Sequence, residues 1–136
     1  MLKDAISSAG ADAAARLLRE AEIEARRLLD AVDAALHQDA LLLRPREQFA
    51  ILRAMQDVAD ALELSGEVET CADGDRSAMR DALRRVTESL NEATTPFAAR
   101  RMDARVREAL SGQRLDRLAQ TLGADPEAPR GASVAA

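Results

Sequence analysis

The stretch DAAARLLREAEIEARRLLDAVDAALHQDALLL, residues 12–43, sets the fold class of the chain. Its apolar side chains recur at alternating intervals of four and three residues, which is the spacing of one face of an α-helix. The N-terminal half offers mainly alanine to a core and the C-terminal half mainly leucine, so we expect one end to join a helical core and the other to extend from it. The predicted inward positions are Ala14, Leu18, Ala21, Ala25, Leu28, Val32 and Ala35, widened by Leu17, Leu29 and Leu36.

The residues before this stretch form a shorter apolar face over residues 1–9. Gly10 interrupts the pattern, and Asp12 is a suitable cap for a new helix behind it. Two arrangements remain open: a short helix hinged to the long one, or a single continuous rod that absorbs Gly10. The apolar face consists of Leu2, Ala5, Ile6 and Ala9.

A second helix is predicted from Pro45 to about Leu64. Proline suits the first helical position, and Gly66 is expected to end the helix as its C′ residue. An acidic loop, EVETCADGD at residues 67–75, follows. The predicted inward face comprises Phe49, Leu52, Met55, Ala59 and Leu62, with Ile51 and Val58 beside them.

A third helix is predicted from a cap at Asp75 to the pair Ser111–Gly112. Pro96 lies inside it and removes a backbone donor, so we expect the helix to bend or break near Thr94–Pro96. The apolar stripe runs through Met79, Leu83, Val86, Leu90, Ala93 and Phe97, continues through Met102, Val106 and Leu110, and is followed by a short turn with Leu115, Leu118 and Leu122.

These segments predict an all-α protein with a long hinged N-terminal helix arm and a small antiparallel helical bundle. Charged residues make up 32% of the 136 residues and aromatic residues 1%, a composition that favours helices over sheets. We expect residues 1–43 to form the arm, residues 44–122 the bundle and residues 123–136 a disordered tail.

Composition also excludes several classes of function. A net charge of −5 argues against nucleic-acid binding. No apolar run is long enough to cross a membrane, and no signal peptide is visible, so we expect no membrane partner. The single cysteine, Cys71, cannot form an internal disulfide, which favours a cytoplasmic location.

Residues able to carry catalysis are sparse. His37 is the only histidine, which leaves no set of histidine and cysteine ligands for a metal, and we interpret it as a surface or boundary residue. Cys71 has no neighbouring base, and the glycines are scattered singly instead of forming a phosphate-binding loop. We therefore expect a non-catalytic binding or regulatory module without a cofactor or metal.

The segment LNEATTPFAARRMDARVREALSG, residues 90–112, resembles the end of the helical lid of the HscA family, the members of the 70-kDa heat-shock chaperones that serve iron–sulfur cluster assembly. Residues 1–12 and 24–43 resemble the first and second lid helices, and the match runs in order over about residues 1–118. The most specific part is FAARRMD at 97–103, whose motif residues are Phe97, Arg100, Arg101, Met102 and Asp103.

The resemblance implies that this chain is a fragment of a longer chaperone with an ATPase domain and a peptide-binding β-sandwich. ATP would then be a cofactor of the whole protein and not of this fragment. The lid would slow the escape of client peptide from the sandwich. Its partners would be that sandwich, an iron–sulfur scaffold protein as client and a J-domain co-chaperone.

By the same resemblance, contact with the sandwich would fall on Leu2, Ile6 and Ala9, and a latch on the exposed face of the long helix. Without the sandwich, the face of residues 2–9 and the Leu17/Leu18 region would lie open, so we expect the isolated fragment to self-associate. The candidate latch residues are Arg26, Arg27, Asp30 and Asp33.

Two other functions compete with the lid. A free-standing helical adaptor or coiled-coil dimerisation module would show the same heptad-like spacing without any upstream domain. A helical-bundle enzyme is the weaker alternative, because the sequence lacks the ligands and bases that it would need.

Overall fold

The computed structural model describes the backbone of residues 2–67 and 73–124 and, within these ranges, the side chains of residues 9–67 and 74–122. Helix α1 spans Leu2–Gln38, a 3₁₀ turn spans Ala40–Leu42, helix α2 spans Pro45–Glu67 and helix α3 spans Asp73–Ala124. No strand occurs within the described ranges, which confirms the all-α class. Cys71 and residues 125–136 of the predicted tail lie outside the described residues.

Helix α1 runs through Gly10 without interruption. Of the two arrangements left open by the sequence, the continuous rod is therefore the one observed, and Asp12 lies inside the helix instead of capping a new one. A single glycine costs a helix only about 1 kcal/mol relative to alanine. The alanines and charged residues that follow it are good helix formers and offset this cost.

The connection between α1 and α2 is short and hydrogen-bonded. The 3₁₀ turn closes through the amide of Leu42, which donates to the carbonyl of Asp39 at 3.0 Å. The amide of Arg44 then donates to the Glu47 carboxylate at 3.5 Å, which places a glutamate three residues into the helix where it can satisfy an N-terminal donor. Pro45 is the first residue of α2, as predicted.

The core combines five alanines with seven larger apolar side chains. Ala25, Ile51 and Val58 are completely buried. Alanine on facing helices lets the helix axes approach closely, so the bundle is tightly packed with few aromatic groups. The buried apolar side chains are Leu18, Ala21, Ala25, Val32, Ala35, Ile51, Ala54, Val58, Ala61, Leu83, Leu90 and Phe97.

The predicted inward face of α2 is wrong for Phe49 and Leu52, whereas Ile51 and Val58, predicted beside it, are buried, and Met55 and Leu62 are partly buried against the core. Phe49 is 72% exposed and Leu52 is 50% exposed, whereas the buried face follows Ile51, Ala54 and Val58. It continues to Ala61 and Ser65, both small residues. The prediction followed the largest apolar side chains, but close packing against α1 selects the face with small ones. Gly66 also lies inside α2, which ends at Glu67.

Helix α3 is longer than predicted at both ends. It begins at Asp73, so Asp75 is an internal residue, and it passes through Gly112 to end at Ala124. The predicted stop at Ser111–Gly112 is therefore wrong, and the three leucines placed in a separate turn belong to the same helix.

Pro96 lies within α3 and does not break it. Threonine hydroxyls bond to the preceding turn: Thr94 donates to the carbonyl of Leu90 at 3.0 Å, and Thr95 donates to that of Asn91 at 2.8 Å. Such bonds accompany adjustments of the helix backbone next to a proline. Phe97 is only 2% exposed, so the residue after the proline still reaches the core.

The chain divides into two compact units, Met1–Ala98 and Ala99–Ala136. The first unit holds the buried apolar cluster. In the second unit, no side chain between residues 99 and 122 is buried.

Candidate functional site

The candidate latch residues lie on the side of α1 that faces away from the core. At about 100° per residue, Arg26, Asp30 and Asp33 fall within a sector of about 60°, roughly 130° from the middle of the buried stripe of α1. All three are exposed. The structure therefore brings these three predicted residues together on one accessible surface.

Ile23 shares this surface and was missed by the sequence reasoning. It is 47% exposed and precedes Arg26 by three residues, which places it on the same side of the helix. We call Ile23, Arg26, Asp30 and Asp33 the outward face of α1. In the sequence, Ile23 is an apolar residue at a position where the helical periodicity predicts a polar one.

The C-terminal end of the outward face is ordered by His37. The Nδ1 atom of His37 lies 2.8 Å from the backbone oxygen of Asp33 and 3.6 Å from its carboxylate. The side chains of His37 and Asp33 are 78% and 63% exposed, so the prediction of a surface histidine is confirmed. His37 lies in the last turn of α1, so its ring bounds the outward face at the C-terminal end of the helix.

Arg27, the fourth candidate latch residue, lines a cleft and is not part of the outward face. It lies at the edge of an open cleft between α1 and α3, with a volume of about 570 Å³. Thr87 lines the same cleft, but its hydroxyl donates to the carbonyl of Leu83 at 2.6 Å and is occupied within the helix. Two arginines and two glutamates among the lining residues make the cleft a polar surface of mixed charge. The lining residues are Ala21, Glu24, Arg27, Leu28, Arg84, Thr87, Glu88 and Asn91.

The residues predicted to contact the sandwich or to lie open without it differ in their exposure. Ala9 is exposed, whereas the side chains of Leu2 and Ile6 lie outside the described residues. Leu17 is 37% exposed, but Leu18 is only 3% exposed, so the prediction that the Leu17/Leu18 region lies open is wrong for Leu18. Leu18 belongs to the buried cluster together with Ala21 and Ala25, which follow it on the same side of α1.

The motif at residues 97–103 divides into a buried and an exposed part. Phe97 is a core residue, Arg100 and Arg101 are half-buried, and Met102 and Asp103 are exposed. Met102 retains 70% of its exposure, which is high for a large apolar side chain. The motif thus combines an anchor for the first unit with the beginning of a surface on the second.

The described residues contain neither a metal site nor a membrane span. Among them, no group of three or more histidine, cysteine or carboxylate side chains could hold a metal ion. No helix in this part of the chain is both long and apolar enough to cross a membrane.

Comparison with known proteins found similar chaperones. The chain is 42% identical over 119 residues to the chaperone protein HscA homolog of Bordetella pertussis, covering 88% of this chain and 17% of the relative. It is 44% identical over 119 residues to the homolog of Azotobacter vinelandii and 40% identical over 119 residues to that of Methylobacillus flagellatus. Each of the last two alignments covers 87% of this chain and 17% of the relative. No protein-family model and no solved structure matched the chain.

Proposed function

Because the chain belongs to the HscA chaperone family over the 119 residues that it shares with these relatives, we propose that it is the helical lid that retains client peptide on the chaperone's β-sandwich. The chain spans about one sixth of the length of the relatives it matches, 17% in each case. We propose that the other activities of the whole chaperone belong to regions outside this segment.

The outward face of α1 supports the lid proposal most directly. It sets one half-exposed apolar residue, Ile23, among charged side chains on the side opposite the core. Exposed ion pairs contribute about 0–1 kcal/mol each, so several of them together with one apolar contact can form and break reversibly. A lid needs only a few kcal/mol of difference between its open and closed states to change the rate of peptide release.

Residues 9–17 of α1 strengthen this proposal. They contain alanines of intermediate exposure and Leu17 at 37% exposure, but no buried residue. Helix α1 therefore carries an apolar side beyond the core that the described part of the chain does not bury. The β-sandwich of the same chaperone is the occupant that we propose for it, and the isolated chain is expected to self-associate through the same side.

The lid itself is proposed to be non-catalytic and to bind no cofactor. Hydrolysis of ATP would take place in the ATPase domain of the whole chaperone, with an iron–sulfur scaffold protein as client and a J-domain protein as co-chaperone. We propose that the protein works in the cytoplasm, which agrees with a chain that holds a single cysteine.

The test is the dissociation rate of a labelled client peptide from the β-sandwich joined to this chain. The double variant Ile23→Asp, Arg26→Glu should accelerate release about tenfold, the equivalent of ~1.4 kcal/mol. Arg53→Glu is the matched control, because Arg53 is an exposed arginine on α2, away from the outward face. Equal release rates from the double variant and the unsubstituted protein, or an equal acceleration by Arg53→Glu, would contradict a lid contact at this face.

A further inference from the structure

The second unit displays a row of large apolar side chains that no other described part of the chain covers. Within residues 99–122, none of the large apolar side chains is buried, although they recur along more than five turns of helix. Apolar patches of this extent mark interaction sites on soluble proteins. The residues and their exposures are Met102 70%, Val106 51%, Leu110 52%, Leu115 64%, Leu118 56% and Leu122 64%.

These side chains form two stripes and not one continuous face. At about 100° per residue, Met102, Val106 and Leu110 fall within a sector of about 80°. The three leucines at 115, 118 and 122 fall within a sector of about 60°, and the centres of the two sectors are about 150° apart. The change of direction occurs near Gly112.

The different directions of the two stripes favour a protein partner over a membrane surface. A helix that lies on a lipid bilayer needs one continuous apolar side along its length. Stripes of three residues on different sides cannot enter a flat surface together. Apolar side chains spaced by three and four residues do match the side chains of another helix, which packs along a single stripe.

The charge of the second unit indicates the kind of protein partner. Residues 99–122 contain six arginines and three carboxylate residues, a net charge of +3, whereas the whole chain has a net charge of −5. Arg107 and Arg114 are exposed and lie on the same edge of the stripe that begins at Met102. Pairing this segment with a second copy of itself would bring two positive helices together, which like-charge repulsion opposes.

We propose that residues 99–122 form a docking helix for an acidic, amphipathic helical segment of another protein. The stripe of Met102, Val106 and Leu110 packs against the apolar side of that segment, and Arg107 and Arg114 pair with its carboxylates. This surface lies on α3 and the outward face lies on α1, so the proposal does not depend on the lid function.

The test uses the 136-residue chain and fluorescein-labelled helical peptides with leucine at the a and d positions of three heptads. One peptide carries glutamate at its surface positions and the other carries lysine. Fluorescence anisotropy should show binding of the acidic peptide only. The double variants Met102→Ser, Val106→Ser and Arg107→Glu, Arg114→Glu should each weaken it at least tenfold.

Leu64→Ser is the matched control, because Leu64 is 55% exposed but lies on α2. Its affinity for the acidic peptide should equal that of the unsubstituted chain, and circular dichroism should show that all variants keep their helix content. Equal binding of acidic and basic peptides, or undiminished binding by both double variants, would overturn the proposal. It would also be overturned by preferential binding to phosphatidylserine vesicles, or by sedimentation showing a dimer that Met102→Ser, Val106→Ser dissociates.

Discussion

The two phenylalanines of the chain provide a matched pair for testing the packing of the bundle. Phe97 is 2% exposed and Phe49 is 72% exposed, although the sequence pattern predicts that both face inward. Both lie inside helices, so replacement by alanine changes the same side chain in the same secondary structure. A difference between the two variants therefore reports burial alone.

The expected magnitudes follow from these exposures. Phe97→Ala should lower the free energy of unfolding by about 3–5 kcal/mol, because it removes a fully buried ring and leaves a cavity. Phe49 has lost only about a quarter of its exposure, so the same scale gives about 1 kcal/mol. Alanine also has a higher helix propensity than phenylalanine, which offsets about 0.5 kcal/mol of the loss of stability in Phe49→Ala.

Urea denaturation followed by circular dichroism at 222 nm measures both values. The expected result is a large decrease in the transition midpoint for Phe97→Ala and a small change for Phe49→Ala, with a similar dependence on urea. Equal losses of stability in the two variants would refute the assignment of the α2 face. A loss below about 1 kcal/mol for Phe97→Ala would refute its place in the core.

Three further substitutions test the helices themselves, each by thermal and urea denaturation. Pro96→Ala should stabilise the chain by about 1–3 kcal/mol, because it restores the donor for the carbonyl of Glu92 within a helix that is already continuous, and a loss of stability would contradict this. Gly112→Ala should raise helix content and stabilise by about 0.5–1 kcal/mol, because apart from the adjoining helix backbone no atom lies within 4 Å of the position of a new Cβ. A left-handed glycine would instead make alanine destabilising. Ala25→Leu should destabilise by about 1–3 kcal/mol through overpacking, while exposed Ala31→Leu on the same helix serves as its control and should change stability by less than about 0.5 kcal/mol.

The fold class could be read from the sequence because the periodicity of α1 is unambiguous. Its predicted inward residues Leu18, Ala21 and Ala25 are all in the core. Periodicity was insufficient for α2, where large apolar side chains occupy more than one side. Packing against a neighbouring helix then decided which side is buried, and Ser65 could join the core because its hydroxyl donates to the carbonyl of Leu62 at 2.8 Å.

The helix ends were less predictable because glycine is a weak signal for termination. Gly66 and Gly112 were interpreted as helix ends, yet both lie inside helices, and no glycine in the described part of the chain has a positive φ. The cost of an internal glycine is about 1 kcal/mol, which several neighbouring residues of high helix propensity can offset.

The candidate site was predictable where it depended on exposure alone. The accessibility of Arg26, Asp30 and Asp33 follows from their places opposite the apolar stripe, and the structure agrees. Ile23 was not predicted as a site residue. An apolar residue can be recognised as part of an exposed, charged surface only once the buried side of the helix is known. The exposure of the Met102 side chain was also unpredictable, because Met102 continues the apolar stripe formed by the core residues before it.

The order Thr94, Thr95, Pro96, Phe97 explains how one helix can serve two units. A proline inside a helix costs about 3 kcal/mol, and burial of the adjacent phenylalanine contributes a similar amount. The buried Thr94 hydroxyl is satisfied by carbonyls of its own helix, so the core accepts it without an outside partner. Phe97 is thus the last buried residue of the first unit along α3, and the exposed surface that begins at Met102 belongs to the second unit.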